Sequence, residues 1–315
     1  MKKIIKLLFF ISIWFLGFKT EAATLYFRPA QASYGLGQRF ILEARLKVEE
    51  PEVINAVEVK IHYPNEFLTP VDFSLGDSIL TFISEPEINQ TKGEINFAGI
   101  IPGGYFGPIP GNPSLADILI KIVFQTPGNV ILPSNSLNLH IDFDPNSKAY
   151  LNDSQGSLAQ LQFENATISL NFNEPIKSDD WLSILKNDKT PPADFSPQIT
   201  SAGGQNYLIF QTEDKESGLD HYELIKSPSP ISEFKNLVGE RVTSPYLLTP
   251  EILKYHLYLK AVDKAGNERY AEVNPQIKPI KNYFSFYPLC FIIILGLLLF
   301  LIFLILIRRR PKNDA

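Results

Sequence analysis

The residues that could carry out acid–base, nucleophilic or metal chemistry are few and widely spaced in this chain. The four histidines, His62, His140, His221 and His256, stand far apart, and no pair has the H-x-x-x-H spacing that brings two imidazoles to one metal ion. The single cysteine, Cys290, lies within a long apolar run, so neither a cysteine nucleophile nor a Cys/His zinc site can form. Neither a phosphate-binding glycine loop nor a G-x-S-x-G turn occurs. The sequence therefore predicts a binding protein and not an enzyme.

Acidic residues raise one further chemistry, the binding of calcium. The segment Asp142-Phe143-Asp144-Pro145-Asn146 begins like an EF-hand loop, but Pro145 interrupts it and Ser147 replaces the glycine of its sharp turn. We therefore expect no metal site and no cofactor, with calcium as the open alternative in a looser oxygen-lined loop. The same question applies to three later residues, for which turn capping is the favoured interpretation: Asp214, Asp220 and Asp263.

The first 22 residues have the pattern of an export signal. Lys2, Lys3 and Lys6 form a positive start, and an apolar stretch follows as far as Phe18. The small residues near Ala22 suit cleavage by a signal peptidase, so residues 1–22 are predicted to be a signal peptide. The alternative is a retained anchor, although this apolar stretch is short for crossing a bilayer.

The other end of the chain predicts a membrane anchor. An uninterrupted apolar run extends from Pro288 to Ile307, and tyrosines and phenylalanines precede it where an interfacial aromatic belt would lie. These two features predict a transmembrane helix over residues 284–307. The tail, residues 308–315, is basic and is expected in the cytoplasm, which places the preceding residues outside the cell. The predicted protein is a single-pass cell-membrane protein. Its net charge of −5 gives no general attraction to nucleic acid.

Between these ends, the polarity pattern predicts an all-β ectodomain. The segment from Ala56 to Tyr63 alternates between apolar and polar residues, and turn formers such as Pro102-Gly103-Gly104 separate it from similar segments. Many short strands with turns at this spacing indicate a β-sandwich over residues 23–170. Further strands are expected at 40–48, 94–98, 118–124, 129–132 and 160–170.

A second, smaller sandwich is predicted for residues 191–280. The pair Asp214–Glu223 and Val262–Glu268 resembles turns of immunoglobulin-like or fibronectin-III-like domains, and about 90 residues suit seven strands. Residues 171–190 form the linker between the two. Its apolar patch at Trp181 is interpreted as one helical turn packed on a neighbouring domain.

Six segments of residues 23–170 stand in an order shared with one bacterial family. They are Ala23–Pro29, Tyr34–Phe40, Ile54–Val59 with Tyr63–Leu68, Gly93–Gly99, Ile118–Gly128 and Lys148–Gly156. Together they resemble the strands and turns of the cohesin domain, the jelly-roll-like sandwich that bacteria use to capture dockerin modules. Ser154 departs from the family pattern, which usually has glycine there. The resemblance implies a dockerin-type protein partner, in the setting of polysaccharide binding or breakdown.

Cohesins bind on one face of a sheet, and the resemblance places Glu58 at a position that contacts the partner. Alternation puts Glu58, Lys60 and His62 on one face, and Val57, Val59, Ile61 and Tyr63 in the core. The predicted partner-binding residues are Glu58, Lys60, His62 and Asn96, with Ala98 and Lys121 added if their strands are neighbours.

Two other functions remain open at this point. A carbohydrate-binding or adhesive module would need a planar row of exposed aromatic side chains, for which Tyr105 and Phe106 are the candidates. An aromatic residue in such a loop more often folds onto the core. A structural cell-envelope protein without dockerin binding is the third possibility.

Overall fold

The computed structural model of the protein describes residues 22–84, 86–107, 117–130, 135–171, 173–175, 178–234 and 237–273. The predicted signal peptide, apart from Ala22, the predicted transmembrane helix at 284–307 and the tail at 308–315 lie outside the described residues. Among the residues that are described, none of the helices is long and apolar enough to span a bilayer.

Residues 23–171 form an all-β sandwich of two sheets. The first sheet has the order β12-β1-β3-β9-β5, and the second has the order β2-β13-β10-β4-β8-β6, with β11 paired to β4 and β7 paired to β8. The strands are β1 (Ala23–Arg28), β2 (Gln31–Tyr34), β3 (Arg39–Lys47), β4 (Ile54–His62), β5 (Thr69–Ser74), β6 (Phe82–Ile83), β7 (Glu87–Asn89), β8 (Glu94–Tyr105), β9 (Ile118–Gln125), β10 (Ser136–Phe143), β11 (Lys148–Leu151), β12 (Leu161–Glu164) and β13 (Ala166–Asn171).

The alternation read from the sequence of β4 determines which side chains enter the core. Val57, Val59 and Ile61 are buried between the sheets, and the residues between them face outward. The two sheets meet through apolar side chains such as Phe27 of β1 and Phe143 of β10, whose rings stack with centroids 4.0 Å apart. This packing fixes the register of β4, because a slip of one residue would turn its apolar side chains to solvent.

The turn before β8 needs a glycine. Gly93 has φ of +66°, and its carbonyl accepts a hydrogen bond from the Tyr63 amide at 2.8 Å. A Cβ atom at this position would lie 2.1 Å from the Tyr63 carbonyl oxygen, so no other residue fits without moving the backbone. The turn starts β8 opposite the end of β4, where Glu94 pairs with His62.

The outer face of the first sheet is covered at β9, whereas outward side chains of the second sheet such as Glu58 are exposed to solvent. In β9, Val123 points away from the core between the sheets, yet it is fully buried. The cover includes α1 (Asp180–Asn187), which packs on β3, and its Trp181 donates a hydrogen bond from the indole Nε1 to Asp72 of β5 at 3.1 Å. The interpretation of Trp181 as a packing residue agrees with this position, although the helix has eight residues and not a single turn.

The described part of residues 191–273 contains seven strands in two sheets around a separate hydrophobic core. One sheet has the order β14-β15-β18 and the other β17-β16-β19-β20. The strands are β14 (Gln198–Ala202), β15 (Gln205–Ile209), β16 (Leu219–Ser227), β17 (Glu240–Val242), β18 (Tyr246–Leu248), β19 (His256–Asp263) and β20 (Glu268–Val273), with a short 3-10 helix at Ile252–Lys254.

The two sandwiches touch directly, and the described residues up to Val273 belong to one compact unit. Lys264 forms an ion pair with Asp72 at 2.6 Å, and the Ser74 hydroxyl donates to the Ser217 carbonyl at 2.7 Å. Gly218 lies so close that a Cβ atom would stand 2.6 Å from the Ser74 hydroxyl. Glycine at 218 therefore permits the close approach of the two backbones.

Most predicted strands are present with shifted ends. The strand expected at 94–98 continues to Tyr105, and the one expected at 160–170 is divided at Asn165 into β12 and β13. The strand predicted at 129–132 is not formed at Asn129 and Val130, and its other residues lie outside the described part of the chain.

Candidate functional site

The outward side chains of β4, β7, β8, β10 and β11 form a continuous surface, here called the open face. Cross-strand pairing places Lys148, Glu58 and Ala98 in one row across β11, β4 and β8. A second row contains Lys60, Asn96 and Glu87 across β4, β8 and β7. Directly opposed residues have Cβ atoms about 5 Å apart, so each row is a set of touching neighbours.

A depression of about 310 Å³ lies in the open face at these two rows. Three of the four predicted partner-binding residues line it: Glu58, Lys60 and Asn96. The other lining residues are Val59, Ser84, Glu87, Phe97, Ala98, Asn146 and Ser147. His62 lies on the same face, one outward position beyond Lys60, and is not part of the lining.

Glu58 is held as an ionised, oriented carboxylate at one side of the depression. Tyr150 donates its hydroxyl to Glu58 Oε1 at 2.6 Å, and Lys148 donates from Nζ to Oε2 at 3.1 Å. These two hydrogen bonds, the tyrosine's first, lower the pKa of Glu58 below its ordinary value. The same contact raises the pKa of Tyr150, because an ionised phenol beside a carboxylate is disfavoured.

Lys60 and His62 share a second charged group at the end of the open face. The Lys60 ammonium lies 3.1 Å from Glu94 Oε1 and 3.9 Å from Asp144 Oδ2. His62 Nε2 lies 2.7 Å from the same Asp144 oxygen. The His62 hydrogen bond, with the Asn146 backbone amide, lowers the pKa of Asp144 to about 2. The positive charge of Lys60 is therefore largely neutralised by its own neighbours.

Asn96 and Glu87 are two polar residues of the depression whose side chains keep free hydrogen-bonding capacity. Neither side chain has a hydrogen bond or an ion pair with another residue in the part of the chain that the structure describes. Ala98 extends the open face as predicted. Lys121 does not, because it lies on β9 in the other sheet, where it is buried and paired with Asp77 at 3.4 Å.

The two aromatic candidates for a carbohydrate-binding surface differ in how far they are buried. Tyr105 closes β8, packs in the core and has a hydroxyl without a partner among the described residues. Burial raises the pKa of this phenol. Phe106 is half exposed, so the pair does not present the planar aromatic row that sugar rings would need.

The loop that resembles the start of an EF-hand is held together by its own contacts. Asp144 Oδ1 accepts hydrogen bonds from both nitrogens of Asn146 at 2.7 Å, and Oδ2 faces His62. Among the described residues, the acidic group that could hold a cation lies elsewhere, where Asp188, Asp214 and Asp263 bring carboxylate oxygens within 4.8 Å of one another.

These three aspartates also cap the local backbone. Asp214 accepts from the Gly218 amide at 2.8 Å, and Asp263 accepts from the Asn267 amide at 2.8 Å, as the sequence predicts for turn capping. Asp188 follows α1 and was not identified from sequence, because nothing in its local pattern links it to residues more than 25 positions away. Asp220 lies apart from the cluster, beside His221.

Comparison with known proteins identifies solved structures but no family. No protein-family model matches this chain, and no curated protein matches it. Among solved structures, the sixth cohesin of scaffoldin B from Acetivibrio cellulolyticus, in complex with a mutant Cel5 dockerin, is similar at 12% identity and a TM-score of 0.36. That similarity covers 48% of this chain and 99% of the cohesin.

Two further cohesins are similar to the same extent. A non-cellulosomal cohesin from Archaeoglobus fulgidus is 14% identical with a TM-score of 0.36, and the similarity covers 47% of this chain and 91% of that one. The cohesin module of a family 33 glycoside hydrolase from Clostridium perfringens is 12% identical with a TM-score of 0.36, covering 48% and 98%. Each similarity extends over about half of this chain.

Proposed function

We propose that this chain is a non-catalytic binding protein that captures a dockerin-type protein module on its open face. The observation that carries the proposal is the depression lined by Glu58, Lys60 and Asn96, three of the residues predicted from the sequence to contact a partner. The burial of β9 on the outer face of the first sheet supports it, because that part of the first sheet is closed to a partner. An open face of alternating polar residues around a shallow depression suits a protein surface better than a small molecule.

The setting we propose is the cell surface of a bacterium. The predicted signal peptide and the predicted transmembrane helix at 284–307 would hold the sandwiches outside the cell, where a captured partner could act on polysaccharide. This part of the proposal rests on the sequence patterns at the two ends of the chain.

The test is a pull-down with residues 22–273, which contain both hydrophobic cores in one compact unit. The bait is exposed to the organism's own secreted and surface proteins, with and without calcium. The expected result is recovery of a protein with duplicated D-x-[DN]-x-[DN]-G loops. The variant Glu58→Ala with Lys60→Ala should reduce recovery by more than about tenfold, as expected when central contacts of an interface are lost.

A matched control distinguishes the open face from general surface charge. Glu272 is exposed on β20 of the second sandwich, so Glu272→Ala should bind as the unaltered protein does. Equal recovery with the double variant would exclude the open face as the docking site. Retention on insoluble polysaccharide without any protein partner would instead support the adhesive function, and neither form of binding would support a structural envelope protein.

A further inference from the structure

The charges around the depression are unbalanced. The strands that form the open face, together with Asp144 just beyond β10, contain five carboxylates and two lysines. The difference is three net negative charges. The carboxylates belong to Glu58, Glu87, Glu94, Asp142 and Asp144, and the lysines are Lys60 and Lys148. A partner docking here meets a negative surface, and complementary charge speeds association and selects the partner.

The two lysines do not offset this charge at the depression itself. Lys148 is paired with Glu58 at 3.1 Å. The Lys60 ammonium forms ion pairs with Glu94 Oε1 at 3.1 Å and with Asp144 Oδ2 at 3.9 Å. Glu87, by contrast, has no cationic neighbour within ion-pair distance among the described residues, and it lies directly across from Asn96 in the β7–β8 register.

Glu87 and Asn96 together have the groups that a guanidinium or an ammonium binds. The carboxylate accepts two hydrogen bonds and supplies the charge, and the Asn96 amide oxygen accepts a third from the same donor. The depression beside them has room for a side chain to enter, with Glu58 on its far side. An anionic side chain would meet the two carboxylates, and an apolar one would leave Asn96 without a partner.

We propose that the docking partner inserts a basic side chain, arginine or lysine, into the depression against Glu87 and Asn96. The inference rests on the proposed function, since it names the chemistry that the partner brings to the same open face. It assigns Glu87, which sequence reasoning did not select, as a specificity-determining residue.

The test uses small probes, so it needs no identified partner. Residues 22–273 labelled with ¹⁵N are titrated with N-acetylargininamide, and in parallel with N-acetylcitrullinamide, the neutral analogue of the same shape. The expected result is a saturable shift of the Asn96 side-chain amide and of the Glu87 and Ala98 backbone amides with the arginine probe. Glu87→Gln should weaken the apparent affinity about fivefold, the effect of removing one exposed ion pair. The control Glu272→Gln should leave it unchanged.

Two results of the arginine titration would overturn the inference. One is an equal response to the arginine and citrulline probes, and the other is undiminished arginine binding by Glu87→Gln. N-acetyllysinamide in a third titration shows which of the two cations is preferred, with tighter arginine binding expected if the contact is bidentate. A protein captured on the open face by a bait that binds neither cation would contradict this inference and leave the proposed function standing.

Discussion

A buried charge network in the second sandwich gives the sharpest test of the side-chain geometry. Lys260 of β19 is almost fully buried, and its ammonium lies 2.9 Å from Glu223 Oε2 and 3.3 Å from Glu268 Oε1. Glu223 also accepts from the Gly239 amide at 2.9 Å and lies 3.0 Å from His221 Nε2. The perturbation is Glu223→Gln, which keeps the size and an acceptor oxygen while it removes the charge.

The magnitude follows from the pKa of Glu223. Burial alone would raise this pKa, but the hydrogen bonds from Lys260, His221 and the Gly239 amide outweigh it and lower the pKa from 4.5 to about 2. At about 1.4 kcal/mol for each pH unit, the difference corresponds to roughly 3 kcal/mol of stability. Solvent reaches part of the carboxylate and screens the charges, so we expect Glu223→Gln to lower the free energy of unfolding by about 2 kcal/mol at pH 7.

The pH dependence has a definite sign. A carboxyl group whose pKa is lower in the folded state contributes its full stability above its unfolded pKa of 4.5, and loses it as the pH falls towards 2. By pH 3, less than half of the effect of the substitution should remain. The free energy of unfolding is measured by urea titration of residues 22–273 at both pH values, with the fluorescence of Trp181, the single tryptophan of this segment, as the signal.

Two controls make the result interpretable. Glu272→Gln, on the exposed edge strand β20, should change the free energy of unfolding by less than about 0.5 kcal/mol. Glu223→Gln combined with Lys260→Met should recover stability relative to the single variant, because it also removes the buried ammonium, whose remaining anionic partner is then the more exposed Glu268. An equal loss of stability on Glu223→Gln at pH 3 and at pH 7 would contradict this prediction, since the loss would then come from packing and not from ionisation.

Two further predictions concern the contact between the sandwiches and the aspartate cluster. Asp72→Ala removes the group that accepts hydrogen bonds from both Lys264 and the Trp181 indole, so the free energy of unfolding should fall by about 2 kcal/mol and the Trp181 emission maximum should change. Asp72→Asn keeps an acceptor oxygen and should destabilise the protein less. Equal urea midpoints for the two variants would contradict this prediction. Burial of Asp214, together with the negative charges of Asp188 and Asp263, outweighs the hydrogen bond from the Gly218 amide and raises the pKa of Asp214. The protonated Asp214 therefore contributes its full stability below the pKa of the unfolded state, and this contribution is lost as the pH rises through the pKa of the folded state. At pH 7 in the presence of a chelator, Asp214→Asn should therefore have a higher urea midpoint than the unaltered protein, and at pH 3 it should not. A lower midpoint of the variant at pH 7 would contradict the predicted direction of the effect.

The orientation of β4 could be predicted from sequence because one strand contains all the information it needs. Period-2 alternation places Val57, Val59 and Ile61 inside, and Glu58 and Lys60 are then outside whatever the neighbouring strands are. The all-β class and the packing of Trp181 were predictable for a similar reason, since each depends on local pattern and on burial of apolar side chains.

The rest of the open face depends on pairing between distant segments, which alternation does not encode. Glu87 becomes a neighbour of Asn96 only through the β7–β8 pairing, and β7 is a three-residue strand with too little pattern to detect. Lys121 has the polarity of an outward residue, yet β9 is buried on both sides because other parts of the chain cover its outer face. Sequence reasoning treated that polarity as exposure, and the covering groups lie about 60 or more positions away.

The covering of β9 in the first sheet also bears on the proposed binding by the second sheet. The outer face of the first sheet includes the fully buried Val123, directly across from Asp72 in the β5–β9 pair, and Asp72 is the residue that Trp181 and Lys264 both contact. Without α1 and the second sandwich, this face would expose apolar surface and attract other chains. The open face has less need of such a cover, because polar side chains such as Glu58, Lys60 and Asn96 occupy most of its outward positions. In the proposed function, the role of the second sandwich would therefore be indirect, since together with α1 it removes the apolar surface around Val123 from contact with other chains.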